Sequence, residues 1–151
     1  MHKKTKYIGG IKMIETIQVK QITLKTAKIM IERAIIKAKE TEVPVVVSIV
    51  DRGGNLLAME RMDDAFVTSI DIANNKAYTS WALRCGTDEM SKVIQPGESL
   101  YGLNLTNNAR IVCFGGGFPI IVDGQVIGAI GVSGGSVEED MAIAKAGLEI
   151  L

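Results

Sequence analysis

The clearest periodic pattern in the chain is a stripe of apolar residues that recur every three or four positions after Thr23. Its members are Leu24, Ala27, Ile31, Ala34, Ile35 and Ala38. This spacing predicts an amphipathic helix over residues 23–41, which begins at Thr23 because a threonine hydroxyl can cap the first free backbone N–H groups. Ile22, Ile29 and Ile36 would fall on the opposite face of that helix. They are either scattered surface residues or a second apolar stripe that packs against another subunit.

The middle of the chain predicts a pair of strands followed by a second helix. Val45–Val50 is a β-branched run typical of a buried strand, and Leu56–Arg61 is predicted to be the next one. The turn at Asp51–Asn55 is so short that the two strands must be antiparallel. A helix is then predicted over residues 66–85, and a short helical piece over Thr87–Ile94.

The last third of the chain is rich in predicted strands. They are Arg110–Phe114, Phe118–Val122 and Gln125–Val132. Asp123-Gly124 is a strong signal for a hairpin between the last two. Ser136 and Glu139 form a capping box, which predicts a final helix from Val137. We therefore expect an α/β domain of the α+β type, with a five-stranded antiparallel sheet flanked by helices.

Length, charge and composition narrow the classes of function. The chain has 151 residues, enough for one domain, which we place at residues 13–151. Residues 1–12 carry four lysines and no acid, and are expected to form a flexible basic tail. Beyond them, 13 basic and 17 acidic residues remain, and this negative balance argues against nucleic-acid binding. No apolar stretch approaches the ~20 residues of a membrane span, and two cysteines suit neither a disulfide framework nor a zinc site, so we expect a cytoplasmic protein.

The glycine-rich stretches do not have the spacing of a phosphate-binding loop. Gly128–Gly135 is not G-x-G-x-x-G, and no Gly-Lys-Ser/Thr follows. The glycines therefore serve tight turns and close strand packing, or leave a generic anion site at a helix N-terminus. The one histidine, His2, lies in the predicted tail, so we expect no metal site and no histidine-based catalysis.

Two basic residues are candidates for recognising an anion. Arg61 is flanked by Glu60, Asp63 and Asp64, which indicates either a polar, anion-recognising corner or a solvated loop. Lys76 is interpreted as a surface lysine, as an anchor for an acidic ligand or, if it is desolvated, as a base.

Several separated motifs resemble one known family. They are Glu60-Arg61-Met62-Asp63, Asp71–Thr79, Gln95-Pro96-Gly97, Phe114–Pro119 and Gly128–Gly135. In this order they are similar to the GlcG/HbpS family, which includes the C-terminal domain of PduO-type proteins, and the likeness covers residues 22–151. The resemblance implies a profilin-like α-β-α sandwich and homo-oligomers. Members are described as haem-binding, haem-degrading or corrinoid-binding, or occur beside genes for glycolate, glycerol or diol utilisation.

The resemblance also raises the question of an axial ligand for haem iron. In PduO-type relatives a histidine can serve, whereas this chain has only His2. Tyr78, Tyr101, Cys85 or a methionine would have to take that place.

The leading hypothesis from the sequence is an accessory protein that binds haem, a corrinoid or a related small ligand. The expected ligand-binding residues are Arg61, Asp63, Lys76, Gly115, Gly116, Gly117 and Gly134. The alternatives are a small-molecule enzyme that uses Lys76 with Asp71 or Asp63, and a structural assembly partner without catalysis.

Overall fold

The computed structural model describes residues 16–151 and, before them, two short strands that pair antiparallel. These are β1 (Tyr7–Ile8) and β2 (Ile11–Lys12). The rest of the segment predicted to be a flexible tail, including His2, lies outside the described residues.

The remaining elements follow the predicted order closely. They are α1 (Leu24–Glu40), β3 (Val46–Val50), β4 (Leu56–Arg61), α2 (Thr68–Leu83), α3 (Thr87–Ser91), β5 (Gly117–Val122), β6 (Gln125–Ser133) and α4 (Val137–Leu148). Two short 3₁₀ turns, Leu103–Leu105 and Asn107–Ala109, lie between α3 and β5. No helix in the described part of the chain is both long and apolar enough to cross a membrane.

The main sheet has four antiparallel strands in the order β4-β3-β6-β5. Helix α2 covers one face, and α1 and α4 pack together on the other. The central strand β3 is buried along its whole length because both of its faces are covered. Val47 and Ile49 belong to the core beneath α1 and α4, whereas Val46 and Val50 pack on the side of α2. An antiparallel α+β sandwich is therefore confirmed.

The local signals that predicted the ends of elements are also confirmed. The Thr23 hydroxyl accepts a hydrogen bond from the Thr26 N–H at 3.2 Å and caps α1. Ser136 and Glu139 form the predicted capping box of α4. In the β5–β6 hairpin both Asp123 and Gly124 have positive φ, 48° and 72°, as a type I′ turn requires.

The prediction of a fifth strand over Arg110–Phe114 is wrong, because this segment lies along α2 instead of pairing in the sheet. The Val112 N–H donates to Thr79 Oγ1 at 3.0 Å, and the Arg110 carbonyl lies 3.2 Å from the same hydroxyl. Arg110 Nε donates to Asn75 Oδ1 at 3.1 Å. The Thr79 hydroxyl thus bonds backbone groups that a neighbouring strand would otherwise have bonded, and Asn75 holds the Arg110 side chain.

Of the three isoleucines that the sequence left as either scattered surface residues or a second apolar stripe, one is buried in the core. Ile22 is only 3% exposed, and its N–H donates to the Ile127 carbonyl at 3.2 Å, so it belongs to the core. Ile29 and Ile36 are 40% and 46% exposed on the outer face of α1. Only these two remain as candidates for a contact with another subunit.

Candidate functional site

Lys76 lies inside the protein, so its interpretation as a surface lysine is wrong. Its side chain is fully buried. Nζ donates to Asp140 Oδ2 at 2.7 Å and to the Val132 carbonyl at 2.8 Å, and lies 5.0 Å from the centre of the Phe114 ring. The sequence held one signal for this burial. Lys76 lies three positions after Ala73 and directly before Ala77, so in a helix it borders the face that these two alanines share.

Burial opposes both charges of this ion pair. Desolvation lowers the pKa of Lys76, and the neighbouring Asp140 carboxylate acts against that shift. Desolvation likewise raises the pKa of Asp140, while Lys76 and the Gly135 N–H, 3.0 Å from Oδ1, act in the opposite direction. Both carboxylate oxygens and the ammonium group therefore have partners, as buried charges require.

Glycines allow the lysine to reach this position. A Cβ at Gly131 would lie 2.1 Å from the Ala73 carbonyl oxygen, and one at Gly117 would lie 2.5 Å from that of Lys76. Helix α2 therefore rests directly on the backbones of β5 and β6. At Gly116, with φ +120°, a Cβ would lie 2.6 Å from Lys76 Nζ. These glycines serve close packing, which was the first of the two roles that the sequence suggested.

The structure brings the other predicted binding residues to the same end of the sheet. Arg61 ends β4 opposite Val46, which in turn lies opposite Ser133, the residue before Gly134. Arg61 is exposed, and its Nε donates to the Ala65 carbonyl at 3.1 Å.

The predicted ligand-binding residues differ in their exposure and so in how accessible they are to a ligand. Asp63 is exposed, whereas Gly115, Gly116 and Gly117 are buried. A Cβ at Gly115 would lie 2.6 Å from the sulfur of Met141, and one at Gly134 would lie 2.2 Å from the Pro44 carbonyl oxygen. Binding of a ligand by these residues stays a prediction. The ammonium group of Lys76 already donates hydrogen bonds to Asp140 and to the Val132 carbonyl.

The acid–base pair that the enzyme hypothesis required is not formed. Lys76 pairs with Asp140, while the carboxylate of Asp71 accepts a hydrogen bond from Asn75 Nδ2 at 3.0 Å. Asp63 is exposed two residues after the end of β4. Among the described residues, no group of three or more His, Cys, Asp and Glu side chains could hold a metal ion.

A cavity of about 580 Å³ lies at the opposite end of the sheet, and sequence reasoning missed it. Its lining consists of Arg52, Tyr78, Trp81, Ala82, Arg84, Asn107, Gly124, Gln125 and Val126. These residues come from the β3–β4 turn, the end of α2, the second 3₁₀ turn and the β5–β6 hairpin. Both turns were predicted, but only the tertiary fold shows that they meet. The volume is within the range of small-molecule sites in proteins.

Hydrogen bonds and packing hold the aromatic wall of this cavity in place. Trp81 Nε1 donates to the Arg52 carbonyl at 2.7 Å, and a Cβ at Gly54 would lie 2.5 Å from the indole ring. The rings of Tyr78 and Trp81 are 5.8 Å apart and inclined by 44°. The Tyr78 hydroxyl lies 3.2 Å from Asn107 Oδ1. The helix end and the β3–β4 turn are thus fixed to each other.

Fold and cavity together define a small α+β domain with a preformed, arginine-lined recess. Residues 22–149 match the family described as haem degrading protein HbpS-like. The chain therefore belongs to the HbpS-like family, which confirms the resemblance to GlcG/HbpS proteins.

Individual relatives extend this result. The chain is 59% identical over 132 residues to an "uncharacterized 15.0 kDa protein in dhaT-dhaS intergenic region" of Citrobacter freundii, covering 87% of this chain and 93% of that protein. It is 47% identical over 112 residues to the corrinoid adenosyltransferase PduO of Salmonella typhimurium, covering 74% of this chain but only 33% of that protein. A solved structure described as a PduOC:haem complex is 40% identical, has a TM-score of 0.84, and covers 87% of this chain and 95% of that one.

The first prediction concerns the buried ion pair. Lys76→Met should lower the free energy of unfolding by about 3–5 kcal/mol, because it leaves the Asp140 carboxylate buried without its cation. Urea unfolding at pH 7 measures this change. Lys37→Met is the matched control: Lys37 pairs with Glu40 on the surface at 3.3 Å, and its loss should cost less than about 1 kcal/mol.

A double substitution separates charge burial from lost packing. Lys76→Met combined with Asp140→Leu removes both charges and should be more stable than Lys76→Met alone. If Lys76→Met lowers the free energy of unfolding no more than Lys37→Met does, the buried ion pair does not stabilise the fold.

The second prediction concerns the close approach at Gly116. Gly116→Ala should destabilise the protein by about 1–3 kcal/mol more than Gly97→Ala, because its Cβ would meet Lys76 Nζ and the Val132 carbonyl oxygen. Both glycines have positive φ, 120° at Gly116 and 91° at Gly97, so both substitutions introduce backbone strain, but a Cβ at Gly97 meets nothing within 4 Å. Equal unfolding free energies in the two variants would argue against tight packing at Gly116.

Proposed function

We propose that this protein is an accessory protein that binds haem or a related tetrapyrrole within a glycolate, glycerol or diol utilisation system. One observation carries the proposal: a domain 40% identical to this chain, and similar over 87% of its length, has been solved as a haem complex. The 47% identity to part of PduO supports the link to corrinoid metabolism, although the chain spans only a third of that protein.

The chemistry of the described residues fits a tetrapyrrole better at the cavity than at the Lys76 end. A flat apolar ring needs an aromatic or aliphatic wall, which Tyr78 and Trp81 provide. Tyr78 is also the candidate axial ligand that lines the cavity, and a tyrosine oxygen is a known ligand of haem iron. Bound haem would supply an iron centre for electron transfer or for binding small molecules.

The other candidate axial ligands are less suited to this role. Burial raises the pKa of the Cys85 thiol, helped by Glu89 and Asp88, which disfavours the thiolate that would bind iron. Tyr101 is 67% exposed in the loop after α3 and does not line the cavity.

The test is a haemin titration of protein that begins at Met13, which removes His2. We expect saturable binding with a shifted Soret band, affinity equal to that of the full chain, and a spectrum without the bis-histidine pattern, because no histidine remains. Tyr78→Phe should alter the spectrum more than Tyr101→Phe does. Absence of saturable haemin binding to both the full chain and the shortened one would overturn the proposed function.

The proposal includes assembly into homo-oligomers, supported by the exposed isoleucines of α1. Ile29→Lys combined with Ile36→Lys should lower the mass found by light scattering, since the charges would be buried unpaired at the interface. Leu105→Lys, which changes a 77% exposed leucine elsewhere, should leave the mass unchanged. An unaltered mass in the isoleucine variant would exclude this face, and a monomeric wild type would exclude assembly.

A further inference from the structure

We propose that the cavity lined by Arg52, Tyr78, Trp81 and Arg84 is a preformed site for a planar ligand that carries carboxylate groups. The inference rests on the proposed function only where the ligand is a tetrapyrrole. The same chemistry is shared by the propionates of a porphyrin and by a smaller aromatic carboxylic acid.

The cavity has a positive charge that its lining does not neutralise. Among the described residues that line it, two are arginines and none is acidic. Arg52 Nη1 lies 3.3 Å from the Lys20 carbonyl and 3.5 Å from that of Val126. Carbonyl groups hold the guanidinium in place but leave its charge and most of its donors available.

Two acidic residues that are adjacent in sequence to lining residues, Asp51 and Asp123, already have partners. The Asp51 carboxylate accepts hydrogen bonds from the N–H groups of Gly53 at 2.7 Å and Asn55 at 3.0 Å, within its own turn. Asp123, in the turn of the β5–β6 hairpin, pairs with Lys20. Neither carboxylate is therefore paired with Arg52 or Arg84, and both guanidinium groups can bind an anion in the cavity.

Arg84 is placed by an unusual backbone conformation. It ends α2 with φ 59° and ψ 31°, the left-handed region in which glycine or asparagine is normally preferred. Its side chain is exposed, and within the described residues it forms no ion pair. Packing does not explain an arginine here, whereas its position at the cavity gives it a use in binding.

The aromatic wall adds selectivity for a flat molecule. The Arg110 guanidinium covers one side of the Tyr78 ring at 3.7 Å, and Trp81 is fixed by its bond to the Arg52 carbonyl. A ring system can stack on such a wall while its carboxylates form paired hydrogen bonds with the guanidinium groups. Little reorganisation is needed, which favours affinity.

The experiment compares protoporphyrin IX with its dimethyl ester, which has the same ring but no carboxylates. The variants are Arg52→Met and Arg84→Asn, the second chosen because asparagine tolerates positive φ and should preserve the fold. Each should weaken protoporphyrin IX binding about ten-fold or more and leave ester binding unchanged. Arg33→Met, which changes an exposed arginine of α1 outside the cavity, is the matched control and should have no effect. Arg61→Met tests the alternative site at the other end of the sheet.

A second experiment tests binding of a smaller aromatic carboxylic acid and uses the fluorescence of one tryptophan. Trp81 is the protein's only tryptophan, so its fluorescence reports on the cavity. Isophthalate is expected to change that fluorescence saturably in the wild type, and Arg84→Asn should weaken the effect.

The possible results separate this inference from the proposed function. If haemin and protoporphyrin IX bind but only Arg61→Met weakens them, the cavity inference is overturned and the proposed function survives. If neither porphyrin binds while isophthalate binds through Arg84, the cavity inference survives and the tetrapyrrole function falls. If no probe binds saturably, both are overturned.

Discussion

The structure depends on one constraint, which is that the ammonium group of Lys76 must be paired inside the protein. Its partners come from two elements besides its own helix, the Val132 carbonyl in β6 and the Asp140 carboxylate in α4. The pair therefore joins the helix layer on one face of the sheet to the layer on the other. Because removing either charge leaves the other buried alone, α2, β6 and α4 are held in one relative arrangement.

This constraint also explains the glycines and the location of the open site. A lysine can pass between α2 and α4 only where β5 begins without side chains, which is the role of Gly116 and Gly117. The Lys76 side chain therefore fills the end of the sheet at which β5 begins. The opposite end, where α2 ends at Arg84, is open around the cavity lined by Arg52, Tyr78 and Trp81.

The sequence predicted much of the fold because its signals are local. Apolar periodicity gave α1, the Thr23 and Ser136 caps gave helix starts, and Asp123-Gly124 gave the hairpin. The strand predicted at Arg110–Phe114 failed because bonds from Thr79 and Asn75 on α2 override its β-branched composition. The β-propensity of a segment gives no information about tertiary contacts of this kind.

The site was harder to predict than the fold because it depends on contacts between distant residues. Lys76 and Asp140 are 64 positions apart, so their pairing is invisible in spacing. The motif around Arg61 drew attention to the other end of the sheet, where binding of a ligand stays a prediction. Neither Arg52 nor Arg84 belongs to a sequence motif. Their shared position at the cavity is seen only in the folded structure, where turns from three parts of the chain meet.

Hydrogen–deuterium exchange of the protein with and without saturating haemin shows which end of the sheet binds the ligand. We expect slower exchange on binding at residues 51–55, 78–84 and 123–126, the segments that surround the cavity, with little change at residues 60–64 and 115–117. Protection confined to residues 60–64 and 115–117 would contradict this expectation, since the ligand would then lie at the end of the sheet that Lys76 and Asp140 close.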